Sequence, residues 1–475
     1  MIEIANRDVI LSHVVESEKY HVSNFLDFAV RAIEAAEGYN AVKRAVALDG
    51  KTLKIESDSY DLSIYEHIFV IGFGKAAEPM AEAVNAIMKR LLTKGVILVK
   101  EGTIKRKLLD RIRVLEGGHP SPTCTGYRNA QKVTRFIQDL PKNESLFIVL
   151  ISGGGSSLYA DFFPGLEFED GVDLNDMLVS TSASIPEINS VRKHTTEIKG
   201  GNLVRLLEGA TTISLVISDV PGNDLSVIAS GPLVPDVSTF GDAKTVLDTY
   251  GLWDRVPESV RARILKGIAG EIPETPKPDH PCFSHVHSYI VADALTSCEA
   301  VAKRIEEVCG HCPVRVYPHV MKGPVTDALA VNLLQSPPGF TVLGHEYTYG
   351  ADPSKHGEGG RQLHLLLLMA NHMKRTPEYE NRFVLGIATD GKDGNSFAGA
   401  VITPSLVAHA RMEEIERAEK EENSGRFFTE KGTIIRVRSR YGLDTTGTNV
   451  NNVMVIYNPA HQKRPDLIER GYRLQ

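Results

Sequence analysis

Short, almost unbroken apolar runs punctuate the first half of the chain: HIFVIG at His67–Gly72, GVILV at Gly95–Val99, LFIVLI at Leu146–Ile151 and ISLVIS at Ile213–Ser218. Runs of this kind suit parallel strands buried on both faces, where neither face calls for polar alternation. Between them, Ala76–Leu92 and Gly126–Leu140 carry apolar groups at helical spacing, as residues 24–48 do near the start. Strand alternating with helix predicts an α/β fold with a doubly wound, mostly parallel sheet.

The pattern breaks at residues 271–284, which hold prolines at 273, 276, 278 and 281. Proline lacks a backbone donor and blocks helix continuation, so a stiff linker is expected there. Beyond it, helical spacing over 294–308 and apolar runs at Ser288–Ala292, Val314–Tyr317, Thr341–Leu343 and Phe383–Thr389 predict that the alternation resumes. The charged stretch Glu413–Ser424 reads as a solvated helix or loop. The expected division is therefore an amino-terminal α/β domain over 1–275, with leading helices, and a carboxyl-terminal α/β domain over 285–475.

Composition supports this picture and narrows the function classes. Two domains are the natural expectation for 475 residues. With 42% hydrophobic and 24% charged residues the balance is that of a soluble globular protein. A net charge of −7 gives no electrostatic footprint for nucleic acid. The opening MIEIANRDVILSHVV lacks the basic start and apolar core of a secretory signal, and LHLLLLMA at 363–370 is far too short to span a bilayer. A cytoplasmic protein is expected, with no membrane partner. Five cysteines make no disulfide scaffold. Cys309-Gly-His-Cys312 imitates a redox pair, but it stands at the far end of a predicted helix and reads as a plain helix-to-strand turn.

Ligands of open α/β sheets bind beyond the carboxyl ends of the strands, so the residues there are the candidates. After the first strand comes Gly72-Phe-Gly74-Lys75, which imitates a dinucleotide fingerprint; position 94, where an acid would hold a ribose, is lysine. A lysine in such a turn instead places a cation where phosphate could arrive. After Leu146–Ile151 comes Ser152-Gly153-Gly154-Gly155-Ser156-Ser157, whose glycines let the backbone approach an anion and whose N–H groups can form a nest. Asp219 and Asp390 follow two further strands, where a carboxylate can hold Mg²⁺ or accept a proton from an attacking hydroxyl. Asn189, Arg192, Lys193 and His194 form a basic stretch. Arg361 follows Gly357-Glu-Gly-Gly at a predicted helix start, and an arginine there can engage a carboxylate or phosphate through two parallel bonds. Together these describe an anionic substrate, a phosphate-bearing co-substrate and a metal, the needs of phosphoryl transfer.

Eight motifs then run in order over about residues 70–455: IGFGKAAEPMAEAV, EGGHPSPTCTG, LISGGGSSL, INSVRKHTTEIKGGNL, ISDVPGNDLSVIASGPLVPD, GEGGRQ, ATDGKDG and TGTNVNN. The chain resembles the glycerate kinase family with a MOFRL carboxyl-terminal domain. That resemblance implies two α/β domains with the active site in the inter-domain cleft, and ATP- and divalent-metal-dependent phosphorylation of glycerate, commonly at the 2-hydroxyl. The family's key lysine falls on Lys75 and its key arginine on Arg361. Ser152–Ser157 would cradle phosphate or substrate, and Arg192 and Lys193 fall on the basic stretch.

Expected roles follow: Arg361 with Arg192 or Lys193 on the glycerate carboxylate, Lys75 on the transferring phosphoryl group, Asp219 on the attacking hydroxyl, and Asp219 or Asp390 on Mg²⁺. Glycerate and ATP are the expected partners, with a homodimer as the assembly to test. Two features depart from the family. Gln362-Leu-His364 replaces Asn-Gln-Glu after the arginine, and the loop over 346–356 is longer, so roles beside Arg361 do not carry over. The competing readings are an NAD(P)H-dependent hydroxypyruvate reductase, a label some family members have carried, and a nucleotide- or anion-binding regulatory protein.

Overall fold

The computed structural model describes residues 2–103, 108–350, 352, 355, 357–394 and 397–459. Its contacts separate the chain into two units: Ala36–Asp293 with Gly447–Val450, and Met1–Ala35 with Ala294–Thr446 and Asn451–Gln475.

The larger unit is built on a seven-stranded sheet. Its order is Val286–Ala292, Thr211–Ile217, Ser145–Ile151, His67–Phe73, Lys94–Lys100, Ile112–Gly117 and Leu108–Leu109. All pairs are parallel except the last, at the edge. Ser145–Ile151 is buried at every position, as its continuous apolar run predicts. One face packs Ala77–Met88 and Gly38–Ala45; the other packs Cys124–Gln138 and Asn202–Leu206. The sheet is thus doubly wound. Gly72 serves that packing, since a Cβ there would lie 2.8 Å from Ile97 Cγ2.

The second unit holds a mixed sheet ordered Val314–Val316, Gly339–Thr348, Asn452–Asn458, Phe383–Ala388, Gly399–Ile402 and Ile434–Ile435. Beyond its first pair, the neighbours on this path are antiparallel, because Asn452–Asn458 inserts between Gly339–Thr348 and Phe383–Ala388. Helix Arg361–Arg375 buries its leucines on one face of this sheet.

The expected division at 271–284 is not the one the contacts follow. Helix Lys19–Ala36 packs Phe25 and Phe28 against Phe340 and Phe383 of the second sheet, so the chain's start joins the carboxyl-terminal unit. Strand Val286–Ala292, expected to open the carboxyl-terminal domain, instead extends the first sheet beside Thr211–Ile217. The proline-rich stretch is held fast rather than free. Thr275 Oγ1 donates to the buried Asp236 at 3.0 Å, Arg205 donates to Glu274 O at 2.6 Å, and Pro281–His285 forms a short 3₁₀ turn. Proline fixed the local stiffness; packing decided that the stretch is part of a core.

Cys309 and Cys312 do lie between helix Ala294–Val308 and strand Val314–Val316. The turn is not plain, however, because the two sulfurs are bonded to each other across Cα atoms 5.5 Å apart, a spacing that suits a disulfide. No helix among the described residues is long and apolar enough to cross a membrane.

Candidate active site

Three adjacent strands of the larger unit end in the candidate residues. Strand His67–Phe73 runs into Gly74, whose φ of +132° suits glycine, and a Cβ there would collide with Ser152. The two glycine turns are tied directly: Lys75 N–H donates to Gly153 O at 2.9 Å, and Ala76 N–H donates to Ser152 Oγ at 3.0 Å. Ser152 was expected to touch phosphate. It is 2% exposed, and its hydroxyl instead serves the start of helix Ala77–Met88.

The loop that follows uses some of its donors on itself. Gly155 N–H donates to Ser152 O, and both Ser157 N–H and Ser157 Oγ donate to Gly154 O. No acceptor among the described residues takes the N–H of Gly153 or Gly154. Gly154 adopts φ +81°, which aims successive N–H groups to one side in the manner of an anion nest. The expected six-residue cradle therefore contracts to its first two glycines.

Lys75 and His119 border that opening. A Cβ on Gly154 would lie 3.5 Å from Lys75 Cγ and 2.9 Å from His119 Nε2. Lys75 makes no ion pair among the described residues. Burial, helped by Lys75 and then Lys100, pushes the His119 imidazole down to about 4, so near neutral pH it is an uncharged donor and acceptor. Asp219, at the end of Thr211–Ile217, lays its carboxylate over Gly153, filling the space a Cβ would need. Asn449 Nδ2 donates to Asp219 at 3.3 Å, from the short stretch Gly447–Val450 that belongs to this unit.

The basic stretch sits on helix Ile185–Thr195. Asn189 accepts from Ser230 Oγ at 3.1 Å, and Ser230 Oγ in turn meets Ser156 Oγ at 2.9 Å. A chain of polar groups thus links this helix to the glycine loop. Arg192, half-buried, donates to Asn175 Oδ1, a neutral partner, and no carboxylate among the described residues pairs with it. Lys193 departs from its expected role. It is 8% exposed and pairs at 3.2 Å with the fully buried Asp236, which also accepts from Ser238 and Thr275, so its charge is consumed inside the unit. His194 is equally committed, to Ser190 O and Glu274.

In the second unit Arg361 opens helix Arg361–Arg375 and donates to Tyr347 O at 3.3 Å. The helix start was expected to attract an anion. It already has one: Asp393 accepts from Gly360, Gln362 and Leu363 N–H at 3.1, 3.0 and 2.7 Å. Burial raises the Asp393 carboxyl against these bonds. Asp390, partly exposed in the same loop, accepts from Lys392 N–H at 3.1 Å. Gln362, where the chain departs from the family, is fully buried against Gly386 and bonded to His345 at 2.6 Å, a packing role. Of the longer loop over 346–356, residues 351, 353, 354 and 356 lie outside the described residues.

The structure therefore brings together Lys75, Gly153, Gly154 and Asp219 in one unit, and carries Arg361 and Asp390 at separate positions of the other. Sequence reasoning missed His119, Asn449 and Ser230 as site residues. Each sits inside one of the eight ordered motifs, which was the available signal.

Residues 24–265 match the family described as a domain of unknown function, DUF4147, and residues 340–452 match the MOFRL family. A glycerate 2-kinase of Pyrococcus horikoshii is 34% identical, over 89% of this chain and 94% of its own. A putative hydroxypyruvate reductase of Agrobacterium vitis is 33% identical, over 72% of this chain and 77% of that protein. The crystal structure of a glycerate kinase from Thermotoga maritima aligns with a TM-score of 0.78 at 25% identity, covering 92% of this chain and 99% of that one.

Proposed function

This chain belongs to the glycerate kinase family that joins a DUF4147 domain to a MOFRL domain, and from that premise we propose that it transfers the γ-phosphoryl group of ATP to the 2-hydroxyl of D-glycerate. The observation that carries the reading is the meeting of Lys75, the unused N–H groups of Gly153 and Gly154, and the Asp219 carboxylate at neighbouring strand ends. Cation, nest and carboxylate are what phosphoryl transfer requires of a protein.

In this reading Gly153 and Gly154 N–H bind phosphate oxygens, and Lys75 offsets the charge that develops on the transferring group. Neutral His119 borders the same opening and donates or accepts without adding charge. Asp219 accepts the proton of the 2-hydroxyl. The hydroxyl oxygen then forms the new bond to the γ-phosphorus as the bond to the β–γ bridging oxygen breaks, and ADP leaves with that electron pair. Arg192 holds the glycerate carboxylate. The carboxylate oxygens of Asp219 suit a hard cation, and Asp219, with Asp390 as the other candidate, would hold Mg²⁺, whose chemistry is to neutralise the phosphates. The cytoplasm is the expected site of action.

The glycine turn lends the reductase reading no support, since Gly72 is a packing residue and a Cβ on Gly74 would meet Ser152. Incubation with ATP, Mg²⁺ and D-glycerate, followed by enolase without a mutase, tests the proposal. Phosphoenolpyruvate forming directly is the expected result. Its formation only after mutase is added would assign the 3-hydroxyl, and no phosphorylated product would sink the kinase reading.

A further inference from the structure

Lys199 lies in the turn that follows the basic helix, and it is 5% exposed. No carboxylate among the described residues pairs with it, and no acceptor among them takes its ammonium protons. Its turn packs on the end of the basic helix, where a Cβ on Gly200 would lie 2.9 Å from Lys193 Cβ, and the same helix end carries Arg192, whose guanidinium donates to the neutral Asn175. Burial, with Arg192 second, pushes the Lys199 ammonium down to about 7. Glu197, two residues earlier, is engaged elsewhere, coupled to Asp161 and Arg263.

A buried ammonium and a half-buried guanidinium with no carboxylate paired to either among the described residues are costly, because each has lost water and gains no counter-charge. The neighbouring residues show how the same stretch treats a cation whose role is structural: Lys193 is given Asp236. The position of Lys199 is also firmly set. Gly200 N–H donates to Ser230 O at 2.9 Å, and Ser230 is the residue whose hydroxyl joins Asn189 to Ser156 of the glycine loop. Lys199 and Arg192 are thus anchored beside the phosphate nest but not in it.

We propose that Arg192 and Lys199 form a two-cation pincer that binds the carboxylate of a small hydroxy acid, the acceptor substrate. The inference rests on the kinase reading for the identity of that acid. With phosphate assigned to Lys75 and the two glycines, the anion left for the pincer is the carboxylate. A guanidinium fork and a point-charge ammonium can engage its two oxygens from different directions. The incoming charge also supplies the compensation the pair lacks.

Calorimetric titration and steady-state kinetics of Lys199→Met test this. The expected result is a rise of ~10²-fold in both the Kd and the KM for D-glycerate, with kcat and the Kd for ATP within about threefold. Lys199→Arg should recover most of the affinity, a rescue that a mere packing role would not produce. Unchanged glycerate affinity in a variant that melts like the wild type overturns the proposal. So does a loss that falls on ATP instead. Should Lys199→Met fail to fold, Lys199→Gln replaces it under the same criteria. The two readings fail separately. If the wild-type protein phosphorylates no glycerate, the kinase reading falls, and the pincer is judged by binding alone. Binding of D-glycerate or D-lactate that weakens in Lys199→Met then carries it, and no wild-type binding of either acid overturns it.

Discussion

Two glycine-rich turns in this chain lead into helices beside a basic residue, and they have opposite fates. At Gly153–Gly154 two backbone N–H groups meet no acceptor among the described residues, and Lys75 stands beside them with no ion pair among those residues. At Gly359–Arg361 the N–H groups of Gly360, Gln362 and Leu363 all donate to the buried Asp393, an anion the chain supplies itself. Both turns read alike as sequence. What distinguishes a binding site from a helix cap is whether another part of the chain has already satisfied the donors.

The comparison can be broken most forcefully at Lys75. Lys75→Ala should lower kcat/KM for glycerate by ~10²-fold or more while the melting temperature stays near the wild type, since the side chain packs no core. Equal activity in the variant would mean that the open turn is not the phosphoryl site. Asp393→Ala attacks the closed turn. It strips the helix start of its acceptor, so stability measured by urea unfolding should fall by about 2 kcal/mol. Addition of sulfate should recover part of that loss if the bared N–H groups then resemble those of Gly153 and Gly154.

Smaller effects sharpen the contrast. Gly154→Ala forces a side chain into the left-handed region and against the His119 ring, for a cost of ~1–2 kcal/mol in unfolding free energy. The phosphate affinity of the loop should fall with it. His119 supplies a pH-dependent effect, absent at neutral pH and confined to the acid range. Its imidazole titrates near 6.5 when unfolded and at about 4 in the folded protein, so between those values the unfolded chain binds more protons. The stability it contributes is present above pH ~6.5 and is lost as pH falls towards 4. His119→Asn should flatten the pH dependence of the urea midpoint in that window. An unchanged slope would show that the ring is not buried against the two lysines.

Much of this molecule could be read from its sequence, for a physical reason. The continuous apolar runs at 67–73 and 145–151 have almost no polar face to present and are too short for a helix, so they suit strands covered on both sides. The residues following such strands must emerge at one edge of the sheet. That logic located Lys75, the glycine loop and Asp219 without coordinates. The partners that decide a side chain's role lie far along the chain, and local pattern carries no trace of them. Lys193 and Lys199 are six residues apart and equally basic, yet only Lys193 meets Asp236, forty-three positions on. Ser152 looked like a ligand until Ala76 took its hydroxyl. Residues 271–284 looked like a linker until Glu274 and Thr275 were bonded into a core. Periodicity determined which residues form strands and where loops must fall. Tertiary packing alone decided which donors and charges were already satisfied, because that depends on which distant segments the two units bring into contact within themselves.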